Sequence, residues 1–312
     1  MKAGKKKTEK KKSTGQRKSP AQTGTSKSRA NSPQPGDTMG KDLLQFRDSS
    51  IADSPDTTWS RLKSLTAARI ALGRAGASQP TQAMLSFQLD HSRARDAIYS
   101  DLDTSSMEDA LKKSGLSVTH LQSQAADRSQ YLKRPDLGRK LSESSTARLK
   151  KLAGKRKLAS GTESNYDIVF VIADGLSARA VQDHAARFIE IFQTLNRDES
   201  YRIGPVCIVE QGRVAIGDPI GEILNASLVA VLIGERPGLS SPDSMGLYLT
   251  YSPRIGTTDE RRNCISNIRP QGLPLTEGAK RFQYMARQSL TRKLSGVFLK
   301  DDRKAGISDH SE

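Results

Sequence analysis

One short run constrains this chain more than any other: Asp167-Ile-Val-Phe-Val-Ile-Ala173, a continuous apolar stretch rich in β-branched residues. A strand that is apolar at every position cannot face water on either side, so the run predicts a strand covered on both faces, the mark of an α/β layer fold. Asp174-Gly175 then reads as a turn, and Ser177 as the cap of a helix with Val181, His184, Phe188, Ile191 and Leu195 on one face. The pattern repeats. Pro205 to Glu210 and Leu228 to Ile233 read as further buried strands separated by a short helix, Asp218 to Leu224. Gly246 to Ser252 reads as another strand, Leu275 to Leu294 as a long amphipathic helix, and Val297 to Leu299 as a last short strand. Strands alternating with helices predict a Rossmann-like three-layer domain with a mostly parallel sheet over 166–304.

Upstream the periodicity is helical. Trp59–Arg74, Thr81–Leu102 and Asp136–Leu152 are expected helices, and in the second Met84, Phe87, His91, Ala94, Ile98 and Leu102 form a stripe expected to face a core. His91 and His184 read as packed histidines, not ligands. A small helical domain is therefore expected over 55–153, with a charged linker at 154–165. Residues 1–54 are Lys, Ser, Thr, Gly, Pro and Gln with almost no aromatic residue, the composition of a disordered tail; 305–312 is expected to be a disordered C-terminus.

The net charge of +16 raises nucleic acid as a partner. Yet eleven Lys or Arg against two acidic residues lie in the first forty positions, so much of the surplus belongs to the tail and not to a groove. No aromatic residue is interleaved with those lysines to stack bases. A basic-tailed nucleic-acid-binding α/β protein stays as the alternative reading. No apolar run is long enough for a membrane span or a signal peptide, so no membrane partner and a cytoplasmic setting are expected. The two cysteines, Cys207 and Cys264, exclude a disulfide framework and offer no metal-ligand spacing.

Ligands of such sheets bind beyond the carboxyl ends of the strands. Three segments fall there: Ala173 to Ser177, Gly234-Glu-Arg-Pro-Gly-Leu-Ser-Ser241, and the stretch from Pro253 through Asn263-Cys-Ile-Ser-Asn267. The second combines glycines, a proline and adjacent opposite charges, with Glu235 as an acceptor and Arg236 as a donor. No GxGxxG or GxxxxGK[ST] follows the first strand, which disfavours a dinucleotide or a nucleoside triphosphate. Cys264 lacks a neighbouring general base, and no pair of carboxylates stands out, so no catalytic residue and no metal site is assigned.

Several long strings carry more than their pattern: Ala173-Asp-Gly-Leu-Ser177, Gly212-Arg-Val-Ala-Ile-Gly-Asp218, Ile233-Gly-Glu-Arg-Pro-Gly-Leu239 and Asn263-Cys-Ile-Ser-Asn-Ile268. With Gly73-Arg-Ala-Gly76, Asp90-His-Ser-Arg93 and Arg134-Pro-Asp136 upstream, and in this order, the chain resembles the small subunits (light chains) of ethanolamine ammonia-lyase from about Trp59 to Lys300. The resemblance implies an adenosylcobalamin-dependent lyase converting ethanolamine to acetaldehyde and ammonia by a radical route. It implies a large subunit as obligate partner, which holds the substrate in a TIM barrel while the small subunit covers the cobalamin. It carries cofactor contact onto Val214, Glu235 and Cys264, the last not as a cobalt ligand. Members often work inside a bacterial microcompartment; the lysine-rich tail is no part of the pattern.

Overall fold

The computed structural model describes residues 55–160, 165–197 and 199–302. The expected tail, part of the expected linker and the expected disordered C-terminus lie outside them. The chain divides into two units, Met1–Leu62 and Lys63–Glu312. Of the first, only the start of helix α1 (Pro55–Ser64) is described; the second carries the sheet and the helices around it.

The centre of the second unit is a mixed six-stranded sheet of order β1-β3-β2-β4-β5-β6. The strands are β1 (Val118–Gln122), β2 (Tyr166–Ala173), β3 (Val206–Glu210), β4 (Ala226–Gly234), β5 (Met245–Tyr251) and β6 (Arg262–Ile268). The first four in the sheet run parallel, whereas β5 turns back and pairs antiparallel with both β4 and β6. The fold is thus α/β as the apolar runs require, but its sheet is parallel over one side only. Strand β2 owes its central place to its sequence: residues 168 to 173 are fully buried and its edges pair with β3 and β4.

Burial on both faces needs helices on both. On one face α3 (Thr104–Lys113), α6 (Ala178–Leu195) and α8 (Leu275–Arg292) cover a core centred on Phe170, Phe188, Phe192 and Phe282. The rings of Phe192 and Phe282 lie 4.9 Å apart in a tilted arrangement, the packing that aromatic quadrupoles favour. On the other face α5 (Glu143–Ser160) and α7 (Gly217–Leu224) cover a smaller core of Leu149, Ile220, Leu224 and the alternate residues of β1 to β4. This second core stops at β4, with Tyr248 of β5 packed at its margin.

Several expectations need correction. The region expected to be purely helical supplies β1, which the sequence hides because Val118-Thr-His-Leu-Gln122 is short and half polar. The expected linker carries the last turns of α5 as far as Ser160, since nothing before Gly161 stops the helix. Helix α1 ends at Ser64 instead of continuing to Arg74; Ala68 N–H donates to the Thr66 hydroxyl, and Ala71 and Gly73 adopt positive φ, which no helix accommodates. The second expected helix appears as α2 (Thr81–Tyr99), but its stripe does not face a core: Ala94 and Ala97 are buried while Met84, Phe87 and His91 are exposed. His184 is buried, as its position on α6 requires. The Asn263–Asn267 stretch is not a loop but most of β6. Finally, Gly296–Phe298 forms a 3-10 turn where a strand is expected. The Asn263 side chain takes the local backbone groups: its amide donates to the carbonyls of Gly296 and Leu299, and its oxygen accepts the Gly296 N–H. No helix among the described residues is long and apolar enough to cross a membrane.

Candidate functional site

The chain leaves β2 through α6 to reach β3 on one side, then leaves β3 through α7 to reach β4 on the other side of β2. The two crossovers therefore diverge to opposite faces, and a crevice opens at the carboxyl ends of the parallel strands. Asp174, at the end of β2, organises its rim. One carboxylate oxygen accepts the N–H groups of Gly175 and Gly212 at 2.9 and 3.0 Å, and the other accepts the Gln211 N–H at 2.9 Å. Gln211 is held there at positive φ, so the carboxylate helps offset a strained turn. Burial pushes the Asp174 carboxyl up to about 6, against those backbone donors and the nearby Arg128. A few residues on, Gly175 and Gly234 let the turn after β2 lie directly on the end of β4, with Leu176 N–H donating to the Gly234 carbonyl at 2.9 Å.

Below this rim lies a cavity of about 1550 Å³. It extends from the strand ends across the part of the sheet that the second core leaves uncovered, where Tyr248 and Cys264 stand on neighbouring strands. Val214, Glu235 and Cys264 all border it. Val214 opens the 3-10 turn that leads into α7, and Glu235 follows directly on β4. The Glu235 carboxylate accepts from the Ser244 hydroxyl at 2.5 Å and from the Asn267 N–H at 3.2 Å, which fixes it across the mouth of β5 and β6.

Cys264 reaches solvent, yet the burial of its surroundings pushes the thiol above the usual cysteine range, and the Glu235 charge adds to this. Tyr248, its cross-strand partner, acts in the opposite direction on the thiol. A thiol kept mostly protonated is a weak nucleophile and a weak metal ligand, so the position offers chiefly a polarizable surface.

Other parts of the site escape the sequence. Arg262 and Asp218 form a bidentate pair at 2.7 and 2.8 Å, both side chains only 3% exposed. Arg262 also donates to the Thr250 hydroxyl and the Thr257 carbonyl. This buried pair ties the start of α7 to β6 and sets the depth of the cavity between them. Tyr131, buried on α4 (Arg128–Lys133), has the guanidinium groups of both Arg128 and Arg213 over its ring, 4.7 and 4.4 Å from its centre. Burial pushes its hydroxyl up to about 12, so it stays neutral. Both arrangements join residues far apart in the chain, and local pattern carries no sign of them.

Comparison with known proteins gives the arrangement its relatives. Residues 56–300 match the family model described as Ethanolamine ammonia-lyase light chain (EutC). The chain belongs to the ethanolamine ammonia-lyase light chain family. Light-chain relatives named ethanolamine ammonia-lyase small subunit include one from Xanthomonas campestris pv. campestris, 50% identical over 248 residues, which are 80% of this chain and 89% of the relative. One from Pseudomonas aeruginosa is 48% identical over 256 residues, 82% and 92% of the two chains. Another from Azotobacter vinelandii is 46% identical over 254 residues, 81% and 92%. The light-chain match thus spans α1 to the last described turn, covering every element that shapes the cavity.

The buried pair and the buried carboxyl can each be tested. Replacing Arg262 by Met leaves Asp218 buried without its partner and should lower unfolding stability by about 3–5 kcal/mol; urea denaturation checks this, and Asp218→Asn combined with it should recover part of the loss. For the carboxyl the variable is pH. Unfolded, Asp174 titrates near ~3.9, whereas folded it titrates at about 6. The folded state thus binds this proton more tightly, so the carboxyl contributes most below pH ~4 and its contribution is lost as pH rises through 6. The stability difference between the parent and Asp174→Asn should shift toward the parent as pH falls from 6.5 to 4; a difference independent of pH contradicts it.

Proposed function

We propose that this chain is the small subunit of a heteromeric, adenosylcobalamin-dependent ethanolamine ammonia-lyase, and that its cavity is the half-site that covers the cobalamin. One observation carries the reading: Val214, Glu235 and Cys264, the three positions that the family resemblance marks for cofactor contact, border a single cavity although they lie on three different elements. The donor set suits such a guest. At about 1550 Å³ the hollow is larger than the ~300–1,000 Å³ of drug-sized pockets. Its lining joins apolar Leu176, Val214, Ile223 and Ile233 with hydrogen-bonding groups, as a broad macrocycle edged with amides requires.

When bound, the cofactor supplies the homolytic chemistry that removes hydrogen from ethanolamine. This chain's residues bind and shield. Val214 gives an apolar contact. Glu235, already oriented by Ser244 and the Asn267 N–H, retains lone pairs for an amide or a ribose hydroxyl. Cys264, kept protonated, offers its sulfur to the ring edge without competing for the cobalt. This chain turns over substrate only with its large subunit, the barrel that holds ethanolamine.

A partner surface is also at hand. Helix α2 leaves Met84, Leu85, Phe87 and Leu89 between 44% and 55% exposed, an apolar patch of the kind that another chain covers. In architecture we read 166–304 as a Rossmann-like cobalamin-binding domain, supported by the β3-β2-β4 order with successive crossovers on opposite faces. Residues 55–153 are read as the region that precedes it. The setting we infer is the cytoplasm, within a bacterial microcompartment, as for other members of the family.

Ammonia release from ethanolamine in the presence of adenosylcobalamin tests the reading, comparing this chain, its large subunit and the assembled pair. Activity should appear in the pair alone. In that pair Glu235→Ala should weaken cobalamin retention by roughly tenfold, the worth of one charge-assisted hydrogen bond. An assembled pair without activity, or activity in this chain alone, contradicts it.

A further inference from the structure

The cavity is electrically lopsided. Its acids are already engaged: Asp218 and Asp259 with Arg262, Glu235 with Ser244 and Asn267, and Glu222 with the Ile255 N–H. Its bases are not. Arg139, Lys140, Lys150, Arg213 and Arg236 border the cavity, none ion-paired with a carboxylate among the described residues, and the first four come from neighbouring elements. They belong together. The 3-10 turn Leu137–Arg139 is tied to Arg213, whose N–H donates to the Gly138 carbonyl at 2.8 Å. Lys150 sits on α5 next to Leu149, which shares the second core with Leu141. The Arg213 guanidinium is fixed by its stack on Tyr131 and by donation to the Tyr131 carbonyl at 3.0 Å, and its Nε is left buried with no hydrogen-bond partner. A guanidinium held in one orientation by the protein is a preorganised donor for an anion.

We propose that this basic wall is a phosphodiester subsite: it takes the phosphate of the nucleotide loop of the bound cobalamin, with Arg213 as the fixed donor and Arg139, Lys140 and Lys150 as flanking positive charge. The inference rests on the cobalamin reading above and adds to it the part of the cofactor that this wall holds. The chemistry selects this group. The peripheral amides of a corrinoid are neutral, so they need donors and acceptors but no surplus of cations. The phosphodiester carries a permanent negative charge, and four cations without carboxylate partners suit it.

The test uses the assembled pair of subunits and two corrinoids, cobalamin and cobinamide, the second lacking the nucleotide loop and its phosphate. Retention is read by equilibrium dialysis and corrinoid absorbance. Lys140→Ala combined with Lys150→Ala, both exposed positions, should weaken cobalamin by about tenfold and leave cobinamide unchanged. The same variant should flatten the salt dependence of cobalamin retention. Equal weakening of both corrinoids, no change in either, or loss of subunit association in place of cofactor would overturn the inference. Inorganic phosphate should compete with cobalamin and not with cobinamide; phosphate held alongside full cobalamin occupancy also overturns it. If the unsubstituted pair retains neither corrinoid, it is the cobalamin reading itself that fails.

Discussion

The double burial of β2 is the constraint on which the rest depends. A strand apolar at every position from 168 to 173 must have neighbours on both edges and helices on both faces, and the chain meets this by sending one crossover to each side. Divergent crossovers open the crevice at the strand ends. The carboxylate at the end of that strand, Asp174, then gathers three backbone N–H groups and holds the turns after β2 and β3 in place. The cavity rim is thus a consequence of how the core is closed.

The two faces of the sheet are finished differently, and the cavity follows from the difference. Where α3, α6 and α8 lie, aromatic rings fill the space. On the opposite face the helical cover ends near β4, and the antiparallel strands β5 and β6 present Tyr248 and Cys264 to the hollow. An uncovered patch of sheet is costly in an isolated chain and useful in one that meets a large flat ligand and a second subunit. The buried Arg262–Asp218 pair braces α7 against β6 beside that patch.

Legibility in the residues depends on whether the signal is local. The runs that form β2, β3 and β4 are continuously apolar and the stripes that form α6 and α8 are periodic, and their pattern alone identifies them. Strand β6 is not legible in this way, because Asn263, Asn267 and Arg262 are poor strand formers and the strand exists through its pairing with β5. The stripe on α2 suggests a core because periodicity reports that a face is apolar and not what covers it; Phe87 is 44% exposed. Of the site, Val214, Glu235 and Cys264 are reached by resemblance, and crevice logic independently points to the last two. The Tyr131 stack with Arg128 and Arg213 depends on contacts across the fold and leaves no trace in spacing.

A corrinoid seated in the hollow would lie against the uncovered face of β5 and β6. Cys264 reports on that face directly, because the chain's other cysteine, Cys207, is buried. The decisive measurement is the rate of maleimide labelling at Cys264, followed by peptide mass spectrometry in the assembled subunit pair with and without cobalamin. Cobalamin should slow labelling at this thiol strongly while other surface thiols of the pair keep their rates. An unchanged rate at Cys264 with cobalamin demonstrably bound would contradict the placement, because the cofactor would then lie elsewhere.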